Sequence, residues 1–287
     1  MLIEQNAKFK IFRNLVFSDR CNLRTVNKDF NDIFKKYKHE KTVYGDYDKN
    51  INYGEYKNIN FVLNNFNKHL ITVPNNVYVF NINKKKFSYS NIKKLPSVLG
   101  NVHTLYLENL PNLKELPLEL GNVHTLYLDN LPNLKELPSE LPSELGNVHK
   151  LYLWNLQNLK ELPSELGNVH TFNLYNLQNI KELPSELGNV HTLSLNYLPN
   201  LKELPSELGN VHKLYLWNLQ NLKELPSELG NVHTLYLNNL TNLKELPSEL
   251  GNVHTLYLNT LPKIKELPTE FKNIKKFINF GNMPFKQ

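Results

Sequence analysis

The sequence predicts a solenoid of the α/β class, in which each turn of the coil adds one strand to a parallel β-sheet. Three observations predict it. A 21-residue unit recurs through most of the 287 residues, a proline closes every clean copy, and each copy holds a short run of alternating apolar and polar residues. A fixed period of this length marks an array whose units cannot bury their apolar faces alone.

The unit is clearest at Leu208–Glu228, and the same 21 residues recur unchanged at Leu145–Glu165. Clean copies begin at Leu99, Leu120, Leu145, Leu166, Leu187, Leu208, Leu229 and Leu250. The copy at Leu120 is longer by four residues, because Pro138-Ser139-Glu140-Leu141 is followed by Pro142-Ser143-Glu144-Leu145. Worn copies flank the array at residues 61–66, 76–82 and 271–280, as terminal repeats require. The expected total is ten or eleven turns.

A period of 21 is also three heptads, so a coiled coil must be considered. It fails on Pro117, Pro138, Pro163, Pro184, Pro205, Pro226, Pro247 and Pro268, one in each clean copy. Proline inside a helix costs about 3 kcal/mol and removes a backbone donor. The alternation in Lys213-Leu214-Tyr215-Leu216-Trp217 instead predicts a strand with Leu214 and Leu216 on its buried side. Val211, Leu219, Leu222 and Leu225 then recur at three-residue spacing, as around a coil with one inside. The Leu-Pro-Ser-Glu segment is left for extended or 3₁₀ geometry on the far side.

These residues resemble the leucine-rich repeat family, whose signature is Leu-x-x-Leu-x-Leu-x-x-Asn/Cys. Here it reads Val211-x-x-Leu214-x-Leu216-x-x-Leu219, and Asn221-Leu222-Lys223-Glu224-Leu225-Pro226 resembles the plant disease-resistance variety. The resemblance implies a parallel sheet on the concave face and an irregular or 3₁₀ convex side. One position departs from it. The family Asn, which bonds turn backbone, is replaced by Leu219 and by Leu110, Leu131, Leu156, Leu177, Leu198, Leu240 and Leu261. Leucine cannot serve those backbone groups; the columns at Asn218 and Asn221 are the candidates to do so, and a further column runs from Asn101 to Asn252.

Ahead of the array, residues 8–36 place Phe9, Phe12, Leu15, Val16, Leu23, Val26, Phe30 and Ile33 at helical spacing. The run Leu23-Arg24-Thr25-Val26-Asn27-Lys28-Asp29-Phe30 resembles the later part of an F-box, although the opening Leu-Pro-x-Glu is absent. That resemblance implies docking on the adaptor subunit of a cullin-RING ubiquitin ligase, through Leu15, Leu23, Val26 and Phe30. The bland reading is a helical cap on the open end of the coil. The expected organisation is an F-box-like segment or cap over 1–40, a linker over 41–56 and worn repeats over 57–98. Eight repeats over 99–270 and a capping repeat over 271–287 complete it.

Composition narrows the function classes. The single Cys21 forbids an internal disulfide, and no signal peptide or long apolar span is visible. A reducing cytoplasmic setting is expected, the host's for a viral protein. The net charge of +6 divides unevenly: residues 99–270 carry 11 Lys against 19 Asp and Glu, so the flanks hold the basic excess. The basic residues are scattered apart from Lys84-Lys85-Lys86, so nucleic acid is not the expected partner. Ala7 is the only alanine, and this AT-rich bias, with Asn-rich repeats and a worn F-box, resembles repeat proteins of giant DNA viruses or amoebae.

No catalytic constellation stands out. Cys21 has no histidine spaced to activate it, and the Lys-Glu pairs such as Lys223-Glu224 repeat identically where an active site is singular. No enzyme activity, cofactor or metal is expected. The histidine column, His103, His124, His149, His170, His191, His212, His233 and His254, predicts a ladder at strand spacing. Duplication of one ancestral residue explains it most simply, and a pH-sensitive ladder is the alternative.

The outward strand positions form two further columns. One is Tyr106, Tyr127, Tyr152, Tyr215, Tyr236 and Tyr257, interrupted by Asn173 and Ser194. The other is Glu108, Asp129, Trp154, Tyr175, Asn196, Trp217, Asn238 and Asn259, and it varies most. Tyrosine and tryptophan favour binding surfaces because large rigid side chains lose little entropy on contact. Tyr106, Tyr127, Tyr152, Trp154, Tyr175, Tyr215, Trp217, Tyr236 and Tyr257 are therefore the expected partner-binding residues. The expected function is recognition of a protein partner by a monomer, with or without recruitment to a ubiquitin ligase.

Overall fold

The computed structural model describes residues 43–44, 59–63, 77–83, 93, 95, 102–116, 120, 122–137, 148–164, 169–281 and 283–285, the first three stretches by backbone alone. The helical segment read over residues 8–36, including Leu15, Cys21, Leu23, Val26 and Phe30, lies outside the described residues.

The described residues build one parallel sheet of twelve strands in sequence order. Its strands are β1 (Val43–Tyr44), β2 (Ile59–Leu63), β3 (Val77–Asn83), β4 (Thr104–Glu108), β5 (Thr125–Asp129) and β6 (Lys150–Trp154). They continue as β7 (Thr171–Tyr175), β8 (Thr192–Asn196), β9 (Lys213–Trp217), β10 (Thr234–Asn238), β11 (Thr255–Asn259) and β12 (Lys276–Asn279). The sequence counted ten or eleven turns. The additional strand is β1, which falls in the stretch read as a linker and pairs Val43 with Phe61.

Equivalent residues pair from copy to copy, Leu214 with Leu235 and Tyr215 with Tyr236. The four extra residues after Leu137 leave this ladder intact, since Thr125 still pairs with Lys150 and Asp129 with Trp154. Strand positions two and four are buried from β4 to β11, which is the alternation the sequence predicts.

Seven apolar residues per copy fill the interior. In one copy Leu208, Val211, Leu214, Leu216, Leu219, Leu222 and Leu225 are all buried. Leu219, at the family's Asn position, is 0% exposed and joins this core. Its turn closes through the backbone, with Leu222 N–H donating to the Leu219 carbonyl at 3.3 Å.

Both asparagine columns act between copies, by different means. The Asn221 amide donates to the Pro199 carbonyl of the preceding copy, and Asn242 does the same to Gln220 at 2.6 Å. That column supplies the side-chain bond to turn backbone that leucine cannot. Asn218 instead donates to the side chain of Asn196 at 2.9 Å and accepts from Asn239 at 2.7 Å. It sits at φ 55°, as do its equivalents within a few degrees, because the chain must turn sharply off the strand. Asparagine enters this left-handed region more readily than other non-glycine residues. Tyr197 and Thr260 occupy the same position at φ 55° and 50° without that advantage.

The far side turns through 3₁₀ segments such as Ser206–Asn210, each entered from a proline at φ between −53° and −67°. A Cβ on Gly209 would lie 2.3 Å from the Glu228 carbonyl oxygen of the next copy. Gly188, Gly209, Gly230 and Gly251 are therefore required by close approach of stacked turns. At the last copy the chain folds back, with Leu267 N–H donating to the Pro284 carbonyl at 2.7 Å. There the Phe277 ring meets Phe271 at 6.0 Å and Phe285 at 5.9 Å.

Candidate protein-binding surface

Strand positions one, three and five face away from the core and create the candidate surface. Position three carries the tyrosines. They stack face to face in two runs, Tyr106–Tyr127–Tyr152 at 4.3 and 4.1 Å and Tyr215–Tyr236–Tyr257 at 4.4 and 4.1 Å. The parallel register imposes this, since identical side chains sit one strand spacing apart. Crowding suppresses ionisation: burial first, then hydrogen bonding to Tyr257, pushes the Tyr236 hydroxyl up to about 12. Tyr257 moves the other way, through its hydrogen bond with Lys276.

Between the two runs the column drops to Asn173 and Ser194, paired side by side on β7 and β8. Position five supplies a tryptophan at each border. Trp154 lies edge-on to Tyr127 and Tyr152 at 6.4 and 6.0 Å, and its indole Nε1 donates to Asn173 Oδ1 at 2.9 Å. Trp217 lies edge-on to Tyr215 at 6.0 Å. Tyr175 and Trp217 are 41% and 36% exposed, which is unusual for large aromatic rings. The nine aromatic residues read from the sequence thus share one sheet face. The step down at Asn173 and Ser194 was visible only as an interruption.

The histidine column does stack, at 4.3 Å for His103–His124, 4.6 Å for His170–His191 and His191–His212, and 4.4 Å for His233–His254. Desolvation first, and then repulsion between neighbouring rings, lowers the pKa of His103, His191, His212 and His254. The histidine carbonyls also have a scaffold role: Lys213 N–H donates to the His191 carbonyl at 2.9 Å. Among the described residues no group of three His, Cys, Asp or Glu is placed to hold a metal ion. No described helix is long and apolar enough to cross a membrane.

Away from the sheet face, grooves of 510 Å³ lie between successive copies, one lined by Lys202, Glu203, Asn221 and Lys223. The same groove recurs one copy earlier with Lys181, Glu182, Asn200 and Lys202. A recess that recurs from one copy to the next has no singular chemistry.

One parallel sheet, 3₁₀ turns on the opposite side and a leucine core define a leucine-rich repeat solenoid. The leucine-rich repeat domain of the type III effector XopL has this fold, with a TM-score of 0.55 at 21% identity over 63% of this chain and 70% of that one. Lower similarity extends to the plant peptide hormone receptor RGFR1 bound to RGF2, with TM-score 0.38, 19% identity and coverage of 85% and 46%. An internalin of Listeria monocytogenes matches with TM-score 0.34, 18% identity and coverage of 74% and 76%. Residues 5–41 match the F-box domain, which covers the stretch whose Leu23–Phe30 run carried that resemblance. No curated protein matches the chain. F-boxes and leucine-rich repeats are both protein-interaction modules.

Proposed function

We propose that the chain is a non-enzymatic recruiting subunit of a cullin-RING ubiquitin ligase, acting in the cytoplasm as a monomer. The F-box segment docks on the ligase's adaptor through Leu15, Leu23, Val26 and Phe30. The aromatic sheet face, from Tyr106 to Tyr257, selects the protein to be modified. The observation that carries this reading is the pairing in one chain of an F-box match at residues 5–41 with a leucine-rich repeat solenoid. Apolar side chains at helical spacing suit a helix-in-groove contact, whose affinity rests on a few buried anchors.

A pulldown of purified adaptor by the full chain tests it. Retention is expected, with a loss of at least about tenfold on combining Leu23→Glu, Val26→Glu and Phe30→Glu, since buried charge at anchors costs more than 1.4 kcal/mol. Far-ultraviolet circular dichroism controls for an intact sheet. Failure of the native chain to retain adaptor, or equal retention by the triple variant, overturns the ligase role. The missing Leu-Pro-x-Glu opening favours the second reading in that event: a free-standing repeat protein whose N-terminal segment is a cap.

A further inference from the structure

The break in the tyrosine column has a defined shape. Tyr152 on β6 and Tyr215 on β9 are three strand steps apart, about 14 Å. Elsewhere along the column every step holds a ring at 4.1–4.4 Å from the next. Asn173 and Ser194 thus leave a slot of two ring thicknesses with a polar floor. The slot is bordered on both sides by the same triad, Lys150-Tyr152-Trp154 and Lys213-Tyr215-Trp217, because the two bordering copies are identical.

The walls are fixed. Tyr152 is backed by the stacked Tyr127, and Tyr215 by Tyr236. Trp154 is tied to the floor by its bond to Asn173. Asn196, beside the floor, accepts from Asn218. Tyr175 projects between the triads with 41% of its surface exposed.

The charge around the slot has one sign. Strands β6 to β9 contain Lys150 and Lys213 and no Asp or Glu. The bordering histidines are His149, His170, His191 and His212. The carboxylates on this face belong to Glu108 and Asp129, on β4 and β5, and each accepts an asparagine amide, from Asn109 at 3.0 Å and Asn155 at 2.7 Å. The slot is thus an aromatic-walled recess with a cation at each end, on a repeat region that is otherwise acidic.

We propose that this slot is the specificity site of the sheet face, and that it takes an extended acidic protein segment carrying an aromatic side chain. The aromatic ring enters over Asn173 and Ser194 and stacks on Tyr152 or on Tyr215, extending one of the two tyrosine runs into the slot. Flanking carboxylates pair with Lys150 and Lys213. Offset stacking on fixed rings adds to burial, and paired charges set the register of the segment across the strands. Two lysines about 14 Å apart suit a peptide with spaced carboxylates better than a nucleic-acid backbone, which needs a continuous basic track. The inference rests on the reading of the sheet face as the recognition surface and adds where and what it reads.

The test uses the full chain and intrinsic tryptophan fluorescence, since Trp154 and Trp217 are the only tryptophans. The probe is a synthetic copolymer of glutamate and tyrosine, compared with polyglutamate, a lysine–tyrosine copolymer and single-stranded polythymidylate. The glutamate–tyrosine probe is expected to bind tightest and to weaken as salt rises. Filling the slot with Asn173→Tyr and Ser194→Tyr, which only restores the residue found in neighbouring copies, is expected to weaken binding at least about tenfold. Lys150→Glu with Lys213→Glu is expected to do the same, and Ser206→Ala with Ser227→Ala, on the 3₁₀ side, to change it less than about twofold; Tyr106→Ala with Tyr257→Ala reports separately on the sheet face outside the slot.

Equal or tighter binding of either other polymer class, or native affinity after filling the slot, overturns the proposal. If only the Tyr106 and Tyr257 variants weaken binding, the sheet face stands and the slot falls. If no sheet-face variant affects capture of a partner from native host extract, the recognition reading itself fails.

Discussion

Two stretches of this chain have the same sequence and different surfaces. Residues 145–165 and 208–228 are identical, and the described core residues of the two match side chain for side chain. Leu151 and Leu214 are 0% exposed, as are Leu156 and Leu219. Their outward faces diverge. Trp154 rests edge-on against two tyrosines and bonds to Asn173, whereas Trp217 rests against Tyr215 and is more exposed. The cause lies in the neighbours: Tyr152 pairs with Asn173, while Tyr215 pairs with Tyr236. In this solenoid the interior is encoded within a copy and the environment of the outward side chains between copies.

If that is right, core substitutions must cost the same in both stretches. Leu151→Ala and Leu214→Ala are each expected to cost about 2–5 kcal/mol, and to agree within about 0.5 kcal/mol, by urea unfolding. A large disparity would break the comparison. Gly209→Ala forces a Cβ against the Glu228 carbonyl, and overpacking of this kind costs about 1–3 kcal/mol. Gly281→Ala, whose Cβ would meet nothing closer than 3.5 Å, is the near-neutral control.

The surface must discriminate where the core does not. Trp154→Phe abandons the bond to Asn173 and is expected to cost about 1 kcal/mol more than Trp217→Phe. Thermal unfolding of the two variants reads the difference. Thr260→Asn is expected to stabilise by about 0.5–1 kcal/mol, because it relieves a β-branched residue at φ 50° and extends the asparagine ladder toward Asn239. The same substitution at Asn218 does not exist, which is the point of comparing the columns.

The smallest effect is the pH response. His103, His191, His212 and His254 have lowered pKa values in the fold. Below the unfolded value near 6.5 the unfolded chain binds protons that the fold refuses, so stability rises with pH across that window and is complete above it. Urea midpoints should therefore fall on acidification from about pH 7.5 to about 5.5, and less steeply for His191→Gln combined with His212→Gln. His191 and His254 are exposed and His103 and His212 half-buried, so solvent screening keeps the effect small.

Much of this was legible in the sequence because the period does the work. Strict alternation placed Leu214 and Leu216 inside and Tyr215 outside, and eight copies left no freedom to misplace the strands. The missing family asparagine pointed to a substitute donor, and Asn221 fills that role while Asn218 bonds to the side chains of Asn196 and Asn239. What stayed hidden depends on contacts between copies. No pattern within 21 residues reveals that a glycine faces the next copy's carbonyl, or that Trp154 reaches Asn173. The twelfth strand at Val43–Tyr44 was hidden for another reason: two residues are too short to show alternation.

The central claim is that recognition occurs on the sheet face bordered by Trp154 and Trp217. Tryptophan emission of the full chain, titrated with a partner captured from native host extract, tests it most directly. The account predicts a shift or quench on binding in both single-tryptophan variants, Trp154→Phe and Trp217→Phe. Partner binding verified by sedimentation, with emission from both tryptophans unchanged, would contradict it.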